Sequence, residues 1–218
     1  MPDIILPGSA GRIEARYQRQ KTPGAPMALV LHPHPQFGGT MNNPLVYDLF
    51  HMFHGLGCTT VRFNFRGVGR SQGSFDNGAG ELSDAAAVLD WMNTLYPNPS
   101  NVWVCGISFG AWIGMQLLMR RPEITGFVSI APPASMYDFA FLAPCPASGL
   151  IVHGTKDSVV PEADVQKLVD RLTAQKGIKI TYDKIDGANH FFDKHEAEVV
   201  DTVKDYVHTM MSKPREGR

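Results

Sequence analysis

One short stretch constrains the chain more than any other: Gly106-Ile107-Ser108-Phe109-Gly110. Before it stands Asn101-Val102-Trp103-Val104-Cys105, whose β-branched and aromatic content suits a buried strand. After it, Ala111 to Arg120 has the length and composition of a buried helix and stops before Pro122. A strand that turns directly into a helix must bend sharply, and the residue at the bend is strained. Glycines at 106 and 110 relieve the crowding that side chains there would cause. A serine at such a bend is lifted clear of the backbone, where it can act as a nucleophile.

The remaining chain alternates between the same two kinds of element. Ile4–Leu6 and Arg12–Gln18 predict a hairpin across Pro7-Gly8-Ser9-Ala10-Gly11. Met27–Leu31, Cys58–Asn64, Gly126–Ile130, Gly149–His153 and Ile178–Tyr182 predict further strands. Helices are expected over Pro44–His54 with Asn43 as cap, Glu81–Leu95, Glu162–Ala174 and Asp193–Met211. Met27–Leu31 is apolar throughout, as in a sheet covered on both faces. The pattern predicts an α/β fold with a mainly parallel sheet, in one domain over residues 1–218.

Composition removes several function classes. The net charge is −1 and the basic residues are scattered, so no nucleic-acid partner is expected. The one basic cluster, Lys213-Pro214-Arg215, reads as a frayed end. The start of the chain lacks a signal peptide's pattern, and no apolar run has membrane-spanning length, so no membrane partner is expected. The three cysteines are odd in number and lack metal-ligand spacing, which points to a reducing compartment, the cytoplasm. The loop Arg66–Ser74 is glycine-rich without the dinucleotide fingerprint or a P-loop lysine, so no nucleotide cofactor is expected.

A serine nucleophile needs a base, and the base needs an acid to orient it; both should leave strand ends downstream of Ser108. His190 lies in a glycine-bearing loop, Asp186–Phe192, between the last expected strand and helix. His153 ends an apolar strand, and His195 and His208 fall within the expected last helix. For the acid, Asp157 follows the strand that ends at His153. Asp183, Asp186 and Asp193 compete with it, the last as a helix cap. The expected set is Ser108, Asp157 and His190. The oxyanion formed on attack requires two N–H donors, one from Phe109 and one from the loop after Met27–Leu31. Pro33 and Pro35 have no N–H, which leaves His34, Gln36 and Phe37, with Gln36 favoured. Phe37 and Gly38 are expected to border the substrate. His32 and His34 lack a third ligand, so no metal is expected.

These residues resemble the α/β-hydrolase superfamily, in particular the small bacterial hydrolases related to dienelactone hydrolases. The matching stretches are His32–Asn43 (HPHPQFGGTMNN), Asn64–Gly73 (NFRGVGRSQG), Gly106–Gly110 (GISFG), His153–Pro161 (HGTKDSVVP) and Gly187–Phe192 (GANHFF). The resemblance implies the same triad, Ser108, Asp157 and His190. Dienelactone hydrolases proper carry a cysteine where this chain has serine, so the implied substrate is a general carboxylic ester. Residues 131–148 are too few for the cap domain common in the superfamily, which predicts small acyl esters as substrates and no cofactor. Thioester or amide cleavage would use the same machinery, and a non-catalytic binding protein could use the same scaffold. The oligomeric state is open, a homo-oligomer included.

Overall fold

The computed structural model describes residues 3–212, so Lys213–Arg215 lie outside the described residues. Eight strands form one sheet: β1 (Asp3–Gly8), β2 (Gly11–Gln18), β3 (Met27–Leu31), β4 (Thr59–Phe63), β5 (Val102–Ile107), β6 (Gly126–Ile130), β7 (Gly149–Gly154) and β8 (Ile180–Ile185). Their spatial order is β1-β2-β4-β3-β5-β6-β7-β8. β2 runs antiparallel to both β1 and β4, and every other pair is parallel. The described residues also form five α-helices, of which the first four connect strands and the fifth follows β8: α1 (Pro44–Gly55), α2 (Ala79–Leu95), α3 (Phe109–Leu118), α4 (Glu162–Thr173) and α5 (Glu196–Ser212).

Strand alternation divides the core. Met27, Leu29 and Leu31 of β3, with Val102 and Val104 of β5, face a cluster built with α2, α3 and α4. Ala28 and Val30, with Trp103, Cys105 and Ile107, face a second cluster built with α1 and α5. Successive side chains leave a strand on opposite faces, so strands covered on both sides must be apolar at every position. Helix α1 starts as the sequence implies. The Asn43 side chain accepts from the N–H groups of Leu45 and Val46, and Pro44 occupies the first turn.

Several boundaries differ from expectation: α2 begins at Ala79 instead of Glu81, and α3 spans Phe109–Leu118 instead of Ala111–Arg120. The last strand is Ile180–Ile185 instead of Ile178–Tyr182, paired with β7 from Gly149↔Ile180 to Gly154↔Ile185. β8 is an edge strand, so one flank stays open and Asp183 and Lys184 fit within it. The last helix starts at Glu196, not Asp193. Asp193 instead accepts a hydrogen bond from Asn189 Nδ2 at 2.8 Å, and His195 lies before the helix. Residues 131–148 contain no helix or strand and add no cap domain. Within them Phe139 and Leu142 join the core.

The bend between β5 and α3 has the strained backbone that its glycines imply. Ser108 has φ 52° and ψ −117°, outside the regions open to ordinary L-residues, at a cost of about 1–3 kcal/mol. Its N–H donates to the Ile130 carbonyl at 2.8 Å. A Cβ on Gly106 would collide with the Gly110 carbonyl. One on Gly110 would stand 2.5 Å from the Leu31 carbonyl oxygen and 2.6 Å from that of His32. The crowding therefore involves the helix backbone and the neighbouring strand, more than the serine itself.

The loop after β3 is fastened to the end of β4. His32 is completely buried; its Nδ1–H donates to the Pro33 carbonyl at 2.6 Å, and its Nε2 accepts from the Phe65 N–H at 3.1 Å. Asn64 Oδ1 accepts from the Met41 N–H at 2.8 Å. Arg62 donates to the Met41 carbonyl and to Asn42 Oδ1. Burial lowers the His32 pKa from 6.5 to about 4, so the ring stays neutral and keeps its acceptor.

Two outcomes are expected from this frame. Gly106→Ala should lower stability by about 2 kcal/mol or more, read as a melting temperature roughly 4–8 °C lower. Gly55→Ala, where an added Cβ meets no atom within 4 Å, should change little. For His32, the unfolded chain binds a proton between pH 6.5 and about 4 that the folded protein refuses. The stabilisation is complete above pH 6.5 and is lost as the pH falls towards 4, by about 3 kcal/mol in total. Urea denaturation of wild type and His32→Asn at pH 7.5 and pH 4.5 should show the smaller pH dependence in the variant.

Candidate active site

The carboxyl ends of β3, β5, β7 and β8 meet at one edge of the sheet. The order reverses between β3 and β5, the position at which open α/β sheets receive ligands. Leu31 is in register with Gly106, so the 32–43 loop leaves its strand beside the serine bend.

Three side chains from separate loops converge there. Ser108 Oγ lies 3.0 Å from His190 Nε2, and His190 Nδ1 lies 2.7 Å from Asp157 Oδ2. With the His190 proton on Nδ1 and donated to Asp157, Nε2 is left to accept from the serine hydroxyl. Asp157 is tied down further, since its Oδ1 accepts from the N–H groups of Val159 and Val160, each at 2.8 Å. Burial alone would raise the Asp157 pKa. The hydrogen bonds from His190, Val160 and Val159, with the nearby imidazole charge, outweigh burial and hold it below the ordinary value.

The rival residues are occupied elsewhere. Asp186 accepts from Thr155 Oγ1 at 3.0 Å, and Asp183 stands within β8. His153 is fully buried behind the acid; its Nε2–H donates to the Val160 carbonyl at 3.0 Å and lies 3.7 Å from Asp157 Oδ2. His153 thereby steadies the turn whose N–H groups hold Asp157, a contact not foreseen from its strand-end position. Burial lowers its pKa, which favours the neutral ring.

The oxyanion side requires one correction. The Gln36 N–H does not face the site: it donates to His34 Nδ1 at 3.2 Å, and Gln36 does not border the cavity. The Phe37 N–H is also taken, by the His34 carbonyl at 3.1 Å. Both bonds belong to the short 3₁₀ turn Pro35–Phe37, which consumes N–H groups locally. His34 borders the cavity as the residue preceding that turn, and no hydrogen bond to its own N–H is found among the described residues. The N–H of Phe109, the first residue of α3, is in the same condition. Proline spacing removed two candidates from the loop; only the turn geometry separates His34 from Gln36.

Above Ser108 opens a cavity of about 470 Å³, bordered also by Phe37, Met136, Tyr137, Val159 and Phe191. Of the two residues expected to border the substrate, Phe37 borders the cavity and Gly38 does not. The lining contains no Asp, Glu, Lys or Arg. Burial lowers the His34 pKa, so this wall is neutral too. Glu81 is fully buried, and its two oxygens accept from the N–H groups of Asp76 and Gly78. Among the described residues no group of three His, Cys, Asp or Glu side chains could hold a metal ion, and both His32 nitrogens are engaged. No helix among them is long and apolar enough to cross a membrane.

Comparison with known proteins agrees with this architecture. Residues 11–148 match the model of a family described as X-Pro dipeptidyl-peptidase (S15 family); the match includes Ser108 and ends before Asp157 and His190. The uncharacterized protein RP471 of Rickettsia prowazekii is 51% identical over 216 residues, which is 97% of this chain and 91% of that protein. A structure from Agrobacterium tumefaciens, of unknown function and assigned to the α/β hydrolases, is 60% identical with a TM-score of 0.95 and 96% coverage of both chains. A serine α/β-hydrolase homologue from Coxiella burnetii is 35% identical, with a TM-score of 0.86, over 94% of this chain and 97% of that one. A lidless serine α/β hydrolase from Xanthomonas campestris is 29% identical, with a TM-score of 0.88, over 98% and 96%. A family match across more than half of the chain, and relatives alike along nearly all of it, establish that the protein belongs to the S15 family within the α/β-hydrolase superfamily.

Proposed function

We propose that this α/β hydrolase cleaves uncharged carboxylic esters through a Ser108–His190–Asp157 triad. The supporting observation is the hydrogen-bond chain from Ser108 through His190 to Asp157, set below a cavity with no charged lining. His190 Nε2 takes the Ser108 proton as Oγ attacks the ester carbonyl. Asp157 holds the tautomer and stabilises the imidazolium that forms. The N–H groups of Phe109 and His34 receive the developing oxyanion, and they need no reorganisation because no other group among the described residues uses them. His190 then returns the proton to the leaving alcohol, and water attacks the acyl-enzyme by the same route.

The family match raises peptide cleavage as the other reading. A dipeptidyl-peptidase substrate carries a protonated amino terminus, and burying that charge without a carboxylate partner is costly. The cavity offers none: Asp157 is engaged with His190, and Glu81 is enclosed by backbone donors. The chemistry of the lining therefore favours esters. Cys58, Cys105 and Cys145 are all buried free thiols, which supports a reducing, cytoplasmic setting. Neither nucleic acid nor membrane is part of this reading.

Ser108→Ala should fold normally, lose nearly all ester turnover and escape labelling by a fluorophosphonate probe. His190→Ala should be equally inactive, and the double variant little worse than either. Substantial turnover by Ser108→Ala would remove the triad from the reaction. The oxyanion assignment has a separate readout, because the His34 φ of −55° already suits proline. His34→Pro should lose about 10²–10³ in kcat, whereas His34→Ala, which keeps the N–H, should lose far less. Equal activities of the two, with circular dichroism confirming the fold, would exclude the His34 N–H as a donor.

A further inference from the structure

The ester reading leaves the rest of the substrate unspecified, and the mouth of the cavity narrows it. Two of the loops around Ser108, those that carry His34 and His190, each present an exposed phenylalanine at the rim. Phe37, 83% exposed, packs its ring 4.7 Å from that of His34 on the proposed oxyanion loop. Phe191, 66% exposed, stands edge-on to His190 with ring centroids 5.5 Å apart. Met136 and Val159, also exposed, border the same opening. Deeper in, Tyr137 lines the wall and is stacked on Trp112 at 4.3 Å.

Large apolar side chains scattered singly over a surface require no explanation, but a group of them around one opening does. These belong to the rim of a cavity that already holds a nucleophile, so their occupant is the part of the substrate that reaches past the scissile bond. Aromatic rings offer flat apolar faces and edges, which match another ring best. The same lining has no counter-ion for a charged group, so an ammonium or carboxylate next to the ester would lose its water without recompense.

We propose that the site selects uncharged esters bearing an aryl group, and that Phe37 and Phe191 are the specificity-determining residues that hold the ring. This inference rests on the ester-hydrolase reading. A matched set of substrates tests it: ethyl propanoate, ethyl 3-phenylpropanoate, benzyl propanoate, phenylalanine ethyl ester and monoethyl benzylmalonate. The last two add an α-ammonium or an α-carboxylate to the phenylpropanoate skeleton.

The faster of the two neutral aryl esters should exceed ethyl propanoate in kcat/KM by about tenfold or more, since a single methylene in an apolar pocket can be worth that much. Both charged analogues should fall about tenfold or more below ethyl 3-phenylpropanoate, although the ammonium makes its ester the more reactive. In Phe37→Ala/Phe191→Ala the advantage of the ring over ethyl propanoate should shrink several-fold, a ratio in which intrinsic ester reactivity cancels. Leu95→Ala, an exposed apolar residue at the far end of α2, should leave that ratio as in wild type. Equal kcat/KM across the set, or an unaltered ratio in the double variant, would overturn the assignment while leaving the ester reading intact.

Binding to Ser108→Ala, followed by tryptophan fluorescence, separates the two claims. If wild type cleaves no ester but Ser108→Ala binds ethyl 3-phenylpropanoate and rejects phenylalanine ethyl ester, the aryl site stands and the ester reading falls. If it binds neither, or both alike, the aryl site falls as well.

Discussion

Everything at the candidate site depends on one strained residue. Ser108 occupies a positive-φ backbone conformation, outside the allowed regions, that an unconstrained L-residue would leave at once. It is held by the entry of α3 directly from β5, by its N–H bond to Ile130, and by close backbone approaches that only Gly106 and Gly110 permit. The strain has a structural return. The serine hydroxyl reaches His190, and among the described residues the first N–H of α3 has no acceptor.

The partners are held by buried polar contacts, not by the apolar core alone. His32 joins β3 to the residue after β4, Asn64 and Arg62 grip residues 41 and 42, and His153 fixes the carbonyl of Val160 behind Asp157. Glu14 extends the Asn64 contact, accepting from Asn64 Nδ2 and from the Arg70 N–H. Each of these bonds forms only when two segments are in place together, so the contacts specify geometry as well as adding stability. They also explain why several histidines of this chain are structural. A ring with burial on all sides and a committed nitrogen cannot exchange protons with a substrate.

The absence of a cap leaves the entrance to the loops themselves. Met136 and Tyr137 border the cavity while Phe139 and Leu142 join the core, so the segment after β6 serves both purposes over a few residues. The wall of the cavity carries no Asp, Glu, Lys or Arg side chain.

Much of this was legible in the residues alone. The glycine-bounded serine between a strand and a helix, the alternation of strands and helices, and the loop positions of Asp157 and His190 follow from local chemistry and from the topology of parallel sheets. The sheet boundaries slipped at β8 because an edge strand tolerates Asp183 and Lys184, which a search for apolar runs passes over. Asp193 looked like a cap because any aspartate before a helix does; its actual partner, Asn189, is a loop residue. The choice of Gln36 failed for a similar reason. Which N–H of the 32–40 loop stays free depends on a 3₁₀ turn and on the His34 ring folding back over it, and neither leaves a periodic mark in the sequence. Residue type and spacing thus determined the fold and the loop positions of Ser108, Asp157 and His190. Tertiary structure alone decided which donors remain unpaired, which histidines are buried and which phenylalanines face outward, because those depend on contacts between segments far apart in the chain.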